Sequence, residues 1–119
     1  MKRCFPALVL ALSLAACSKP QSVEPLTGGN PQAGHKLIEA YGCASCHQIK
    51  GIAHADSKVG PSLKDIRESS YVAGMLPNSA DNLMKWIEHP SAVNPKTAMP
   101  ELGVTPAQAR DIAAYLYSQ

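Results

Sequence analysis

The chain has 119 residues and a mass of 12.6 kDa, a length that allows one domain of ordinary size. Its hydrophobic share of 45% excludes the possibility that the chain is an acidic or basic disordered tail, and no segment repeats at the period of a solenoid protein. The chain carries 11 Lys and Arg against 9 Asp and Glu, but Lys2 and Arg3 lie in a segment that we expect to be removed, so the remaining charges balance. A neutral chain argues against nucleic acid as a partner, because phosphate binding requires a basic surface.

Residues 1–16 carry the pattern of an export signal. A positive head, Met1-Lys2-Arg3, precedes an apolar run of about twelve residues, which is shorter than the roughly 20 that a spanning helix needs. The tetrapeptide Leu14-Ala15-Ala16-Cys17 resembles the lipobox of bacterial lipoproteins, in which the cysteine is acylated and becomes the first residue. The alternative is an ordinary secretory signal that is cut beside a cysteine. We therefore expect a protein on the periplasmic side of the bacterial cell envelope, held on a membrane by lipid at Cys17.

Residues 17–29 are expected to form the lipidated cysteine and a flexible tether, and residues 30–119 a single domain. The tether is polar, contains Pro20, Pro25 and the pair Gly28-Gly29, and shows no apolar periodicity. Such a segment would let the domain move relative to its anchor.

The domain is predicted to be all-α, with four helices and no strand. Asn30-Pro31 is typical of a helix start, because an asparagine cap precedes proline in the first turn. A short helix is expected over residues 61–69. Ser79 caps a third helix that Pro90 ends, and Thr105-Pro106-Ala107-Gln108 has the capping-box spacing for a fourth. The apolar positions predicted to face inward are Ala33, Leu37, Ile38, Tyr41, Leu63, Ile66, Leu83, Trp86, Ile87, Ala109, Ile112, Ala113 and Leu116.

Two predicted connections, residues 48–60 and 90–104, are long for so small a domain, and such loops usually surround a ligand. Few large side chains remain to fill a core, since removal of Phe5 leaves Trp86 and four tyrosines as the aromatic residues. A domain of this size then needs buried surface from a metal, disulfides or a bulky cofactor. The sequence therefore predicts a group held between the helices.

The segment Cys43-Ala44-Ser45-Cys46-His47 is the attachment signature of c-type haem. On a helix, Cys43, Cys46 and His47 share one face, because side chains three and four positions apart are neighbours. The two thiols can then add to the two vinyl groups on one porphyrin edge, while the imidazole reaches the iron. One covalently attached haem c is expected.

Three alternatives explain this segment less well. A thioredoxin-like site expects a βαβ setting, which the pattern does not predict. A zinc site needs a fourth ligand and usually a second paired motif. A disulfide between Cys43 and Cys46 would leave His47 without a role.

From these residues the chain resembles the small class I c-type cytochromes, over about residues 30–119. It is most similar to the cytochrome c domains fused to subunit II of haem-copper oxidases. The resemblance implies three to five helices wrapped around one haem edge. Two positions depart from that group: Ala80-Asp81 stands where Pro-Glu is frequent, and Asn94-Pro95-Lys96 where Pro-Gly is common. Besides the haem motif, the matching segments are Gly60-Pro61-Ser62-Leu63, Ala73-Gly74-Met75-Leu76-Pro77-Asn78, the helix from Leu83 to Pro90 with Trp86, and Ala98-Met99-Pro100.

The second axial position of the iron decides the function, and Met99 is the expected ligand. It precedes Pro100, which favours extended backbone, and the resemblance implies the same role. Met84 is expected to fill space in a helical core, and Met75 can pack on the haem without binding it. The histidines His35, His54 and His89 are further candidates that we expect on the surface, with His89 as a cation near a helix C-terminus.

The resemblance also implies the remaining haem contacts. The carbonyl of Pro61 is expected to accept a hydrogen bond from the ring nitrogen of His47 that does not bind iron. Trp86 is expected either to bond a haem propionate or to serve as ordinary helix core. Packing on the porphyrin is expected from Leu63, Leu76, Leu83 and Trp86.

Ligation by His47 and Met99 would close both axial positions, and a thioether favours reduced iron. This combination suits a carrier, so no catalytic residue and no small-molecule substrate are expected. We expect one-electron transfer to or from a respiratory complex: a terminal oxidase, the cytochrome bc complex or a dehydrogenase. The alternatives are a haem-bearing accessory subunit of a terminal oxidase or dehydrogenase, a haem peroxidase and a gas sensor. The last two require an open axial position.

Overall fold

The computed structural model describes residues 21–119, so the predicted export signal and Cys17 lie outside the described residues. In this part of the chain four α-helices follow one another: α1 (Pro31–Ala40), α2 (Ala80–Glu88), α3 (Pro90–Val93) and α4 (Pro106–Tyr117). Within residues 21–119, none of the helices combines the length and the apolar character needed to cross a membrane. The helical class is as predicted, but residues 61–69 contain only a 3-10 turn at Ile66–Glu68 where a short helix was expected.

The starts of α1, α2 and α4 are the ones that the sequence predicts. The side chain of Asn30 accepts the first N–H groups of α1, and that of Ser79 accepts from Asn82 in α2. Thr105 and Gln108 form a reciprocal capping box at the start of α4. Pro90 ends α2 as expected but begins α3 at once, and its ring is completely buried.

The central contact of the fold is the packing of α1 against α4. Gly34 lies where α1 meets the backbone of Asp111, and a Cβ at this position would overlap that backbone. The close approach lets Ile38 of α1 and Ile112 of α4 bury all but 1% and 3% of their surfaces. The loops of the domain therefore extend from this packed pair of helices.

A small hairpin precedes α2, and here the prediction of no strand is wrong. Strand β1 (Tyr71–Val72) pairs antiparallel with β2 (Leu76–Pro77). Ala73 and Gly74, in the turn, have positive φ values of 55° and 66°, the backbone that hairpin turns favour. Strands of two residues are too short to show an alternating pattern in the sequence.

Asn78, directly after the hairpin, ties it to two other elements. Its side-chain nitrogen donates to the carbonyls of Ile66 and Ser69, both at 2.7 Å. Its side-chain oxygen accepts from the hydroxyl of Tyr117 at 2.6 Å. The 3-10 turn, the hairpin and the end of α4 are therefore joined through one amide.

The predicted tether is partly folded against the domain. Glu24 is only 4% exposed, and one of its carboxylate oxygens accepts the backbone N–H groups of Leu26 at 3.1 Å and Thr27 at 2.7 Å. Its other oxygen lies 3.8 Å from the guanidinium of Arg67. Gly29 packs so closely on the backbone of α4 that a Cβ there would overlap Arg110. Residues 24–29, which lie before the predicted domain start at Asn30, thus pack against the folded domain.

Candidate haem site

The Cys43–His47 segment forms one tight turn directly after α1. Gly42, with a φ of 71°, ends the helix in the left-handed conformation, and a 3-10 helix follows at Cys43–Ser45. The backbone N–H groups of Cys46 and His47 both donate to the carbonyl of Cys43, at 3.2 and 3.0 Å. The three side chains of the motif therefore project from a single turn, as the sequence predicts, although its first residues are 3-10 helix.

Both thiols in this turn are free, so no disulfide joins them. Each cysteine is half-buried. Burial, with a smaller contribution from the neighbouring Cys46, raises the pKa of the Cys43 thiol. Because no disulfide joins them, both thiols are available for addition to a ligand beside them.

The ring of His47 is oriented by the segment that follows the next loop. Its Nδ1 lies 2.7 Å from the carbonyl oxygen of Pro61. A carbonyl only accepts, so Nδ1 is the donor, and in the neutral ring Nε2 is then the nitrogen with a lone pair for a metal. The hydrogen bond that the resemblance implied is present.

Gly60 leaves the space that this orientation requires. A Cβ at Gly60 would lie 2.6 Å from Cε1 of His47, closer than real side chains approach. The backbone N–H of Gly60 donates to the carbonyl of Cys46 at 2.6 Å, which fixes this stretch of backbone against the turn. Only a residue without a side chain fits at position 60 beside the His47 ring.

The loop between His47 and Gly60 is well anchored. Ile49 and Ile52 are buried, and the hydroxyl of Tyr115 in α4 donates to the carbonyl of Lys50 at 2.7 Å. His35 lies beside this loop, with Nε2 at 3.2 Å from the carbonyl of Gly51. The Cys43–His47 turn therefore lies between two well-packed segments, α1 before it and this loop after it.

The residues expected to pack on a porphyrin differ in exposure. Leu63 and Trp86 are half-buried and pack against the edge of the core, and Leu76 is half-buried in β2. Leu83 is 1% exposed, so protein atoms already enclose its side chain. The structure corrects the expectation for Leu83, since an enclosed side chain has no surface left to offer a porphyrin.

The candidate ligands for the second axial position occupy distinct places. Met99 lies half-buried in the loop between α3 and α4, and its backbone N–H donates to the hydroxyl of Thr97 at 3.0 Å. Met75 is 54% exposed next to the hairpin turn, whereas Met84 packs against the core from α2. Of the histidines, His54 is exposed, and His89 has its ring nitrogens 3.9 and 3.8 Å from carboxylates of Glu88 and Glu101.

Two residues near Met99 were missed by reasoning from the sequence. Thr97 braces the backbone of Met99, and Glu101 accepts two hydrogen bonds from Ser91. A threonine two positions before the methionine is a local signal of a side-chain turn, which the sequence displays. The Glu101 contact spans ten residues and has no local signature.

The groups in this region fit a covalently bound haem by their chemistry. Two free thiols share one turn with an imidazole whose Nε2 retains a lone pair, and Gly60 leaves no side chain to crowd that ring. Thiols are the nucleophiles that form thioethers, and neutral imidazole is a common axial ligand of haem iron. The donor set matches the cofactor that the motif predicts.

Comparison with known proteins agrees with this chemistry. The family model described as "Cytochrome c" matches residues 31–119. The chain is 31% identical over 78 residues to cytochrome c oxidase subunit 2 of Alkalihalophilus pseudofirmus, covering 66% of this chain and 22% of that protein. It is 30% identical over 59 residues to the subunit 2 of Bacillus sp., covering 48% of this chain and 17% of that protein. The chain thus spans about a fifth of the length of these relatives.

The family match covers α1 through α4 and includes the whole Cys43–His47 turn. The relatives agree with the resemblance to the class I cytochromes of oxidases that the sequence motifs imply. With its helical fold and the two free thiols of its Cys43–His47 turn, the chain belongs to the cytochrome c family and carries covalently bound haem c at Cys43 and Cys46.

Proposed function

We propose that this protein is a membrane-tethered electron carrier of the periplasm, with His47 and Met99 as the axial ligands of its haem iron. Haem-based electron transfer is the activity of its family, and a cytochrome c domain is typically a carrier rather than an enzyme. The observation that carries the assignment of His47 is the hydrogen bond from its Nδ1 to the carbonyl of Pro61, which leaves Nε2 as the nitrogen that would bind the iron. The bound haem supplies one-electron cycling between Fe(II) and Fe(III).

The protein contributes orientation and an unchanging environment to this chemistry. The carbonyl of Pro61 accepts the Nδ1 proton of His47 in a hydrogen bond, which fixes the ring orientation and makes the Nε2 lone pair a stronger ligand for iron. Met99 offers a neutral thioether from a loop braced by Thr97. Because neither group needs to gain or lose a proton, little has to reorganise when the oxidation state changes.

A respiratory complex is the proposed redox partner. The similar proteins from Alkalihalophilus pseudofirmus and Bacillus sp. are named as subunits of cytochrome c oxidase, which favours a terminal oxidase over the cytochrome bc complex or a dehydrogenase. Tyr71 and Met75, on the hairpin, are 62% and 54% exposed and offer apolar surface for docking. Since the mature charges balance, such docking should depend weakly on salt. The same relatives also favour a second candidate, a haem-bearing accessory subunit of an oxidase.

The location rests on the amino-terminal sequence. The lipobox-like Leu14-Ala15-Ala16-Cys17 supports acylation of Cys17, and covalent haem attachment of this kind suits the periplasmic side of a bacterial membrane. Cys17→Ser should move the protein from the membrane fraction to the soluble periplasmic fraction. An unchanged membrane fraction would reject the lipid anchor.

Ligand exchange at the iron separates the carrier from a peroxidase or a gas sensor. Carbon monoxide added to the reduced protein should leave its absorption spectrum unchanged if both axial positions are closed. The oxidised protein should show the near-infrared band of an iron–thioether bond, and Met99→Ala should lose it while Met75→Ala retains it. Prompt carbon monoxide binding by the wild-type protein would favour a catalyst or sensor instead.

A further inference from the structure

Glu101 fastens the loop of Met99 to the helix before it. One oxygen of its carboxylate accepts both the backbone N–H of Ser91, at 3.1 Å, and the Ser91 hydroxyl. The other oxygen lies 3.8 Å from Nδ1 of His89. We call Ser91, Glu101 and His89 the clasp.

The other hydrogen bonds of this loop are local. Lys96 and Thr97 donate from their backbones to the side chain and carbonyl of Asn94, at 3.1 and 3.0 Å. Met99 donates to Thr97. Each bond reaches back only two or three residues, so these turns shape the approach to Met99 without fixing its far side. Among the hydrogen bonds described for residues 95–104, the clasp alone joins the loop to a preceding helix.

The two ends of the clasp differ in rigidity. Ser91 follows Pro90, the first residue of α3, whose side chain is completely buried. Glu101 is followed by the exposed Leu102 and by Gly103, whose φ of 71° places it in the left-handed region. The position of the segment between Met99 and the buried Val104 therefore depends on the contact of Glu101 with Ser91 of α3.

We propose that Glu101, acting with Ser91, is a positioning residue that keeps the Met99 sulfur ready to bind the haem iron. The inference rests on the proposed ligation by Met99. A loop closed at both ends has fewer conformations, so less entropy is lost when its central side chain binds. Glu101 acts through the loop backbone and needs no contact with the cofactor.

The test is the affinity of the oxidised, haem-loaded protein for cyanide, which must displace the methionine to bind. Glu101→Ala removes the acceptor of both Ser91 bonds, and we expect cyanide to bind about three- to tenfold more tightly than to wild type. Glu101→Gln keeps an acceptor oxygen for Ser91 and should stay within about twofold, because the exposed contact with His89 contributes little. Ser91→Ala keeps its backbone N–H and should lie between these two.

Glu39→Ala is the matched control, because Glu39 also pairs with a histidine, His35, at 3.5 Å. It should leave cyanide affinity unchanged, and the unfolding free energies of both alanine variants should be compared. Equal changes of cyanide affinity in Glu101→Ala and Glu39→Ala, or no change in Glu101→Ala, would refute the role of the clasp. The iron–thioether band of the wild-type protein would still support the proposed ligation by Met99 in that case. Absence of that band from the wild-type protein would refute Met99 ligation and the clasp with it.

Discussion

The hydroxyl of Tyr117, in the last turn of α4, donates a 2.6 Å hydrogen bond to the side-chain oxygen of Asn78, 39 residues earlier in the chain. Burial, together with the nearby Glu24 carboxylate, raises the pKa of Tyr117, so its hydroxyl keeps its proton as a donor. Asn78 passes this restraint on to Ile66 and Ser69. The end of the last helix therefore determines where the hairpin and the 3-10 turn lie.

Tyr117→Phe should destabilise the protein by about 1–2 kcal/mol, because the oxygen of Asn78 loses its partner in a part-buried place. Denaturant unfolding followed by helical circular dichroism measures this difference. Tyr71→Phe is the control, since Tyr71 is 62% exposed, and it should be neutral within about 0.5 kcal/mol. Equal stabilities of the two variants would show that the Tyr117 bond contributes nothing.

Gly60→Ala should disturb the orientation of His47, because the new Cβ would lie 2.6 Å from the imidazole ring. We expect a loss of about 1–3 kcal/mol in stability and a higher reduction potential. The potential rises because a displaced ring loses the Pro61 bond that strengthens Nε2 as a donor to oxidised iron. Potentiometric titration of the haem-loaded protein measures the shift.

The control for this prediction is Gly74→Ala, where a Cβ meets no atom within 4 Å. Its positive φ of 66° should lower stability by about 1 kcal/mol without changing the potential. A potential unchanged in Gly60→Ala would contradict the role assigned to the glycine.

Gly34→Ala should separate α1 from α4, since the added methyl group would overlap the backbone of Asp111. Overpacking of this kind costs about 1–3 kcal/mol, and it should appear in thermal unfolding of the haem-loaded protein. Lys36→Ala changes an exposed position of the same helix and should have little effect. A Gly34→Ala variant as stable as wild type would mean that the helices can shift freely at this crossing.

Glu24→Gln should make the free energy of unfolding depend less on pH in the acid range. Burial acts to raise the pKa of Glu24, but the hydrogen bonds from Thr27 and Leu26 and the charge of Arg67 outweigh it and lower the pKa below its ordinary value of 4.5. A lowered pKa means that the carboxylate stabilises the fold above that value, and that this stabilisation is lost as the pH falls through the folded-state pKa.

At neutral pH, we therefore expect Glu24→Gln to be about 1 kcal/mol less stable than wild type, with the difference shrinking below pH 4.5. Denaturant unfolding at a series of pH values measures this convergence. Glu68→Gln, at an exposed position of the 3-10 turn, is the matched control. If the stability difference between wild type and Glu24→Gln stayed constant across the pH series, the ionised Glu24 carboxylate would not be the group that stabilises the fold.

Cys43→Ala should leave the haem attached through Cys46 alone, and the double replacement of both cysteines should release it on denaturation. Intact-mass measurement of the denatured protein, with the haem spectrum, distinguishes these products. Ser45→Ala, on the exposed side of the same turn, should retain the haem fully. Haem that remained covalently bound in the double variant would contradict attachment at this turn.

Much of this fold follows from local sequence signals. The caps at Asn30, Ser79 and Thr105 lie within three residues of the N–H groups that they accept, so their helix starts were predictable. The Cys43–His47 motif is equally local, because its two thiols and its imidazole lie within five consecutive residues, and the amino-acid order alone indicates the haem chemistry. The hairpin was missed because its strands have only two residues each.

The unpredicted features depend on contacts between distant residues. Glu24 is an acidic residue in a polar stretch, and only the approach of Arg67 and of its own turn explains its burial. Leu83 belongs to the same helical face as Trp86, yet one is enclosed and the other half-exposed. Periodicity identifies an apolar face, but the depth of each position on it depends on which elements pack against that face.

The packed segment at residues 24–29 would limit how far the domain can lie from a membrane if the chain is anchored there as proposed. If lipid holds Cys17, the chain leaves the domain at Glu24, and the about seven residue steps between them span at most roughly 25 Å when fully extended. An attachment at Asn30 would have nearly doubled that distance. With that anchor the domain would remain within roughly 25 Å of the bilayer, and the proposed redox partner would have to present its docking surface close to the lipid headgroups.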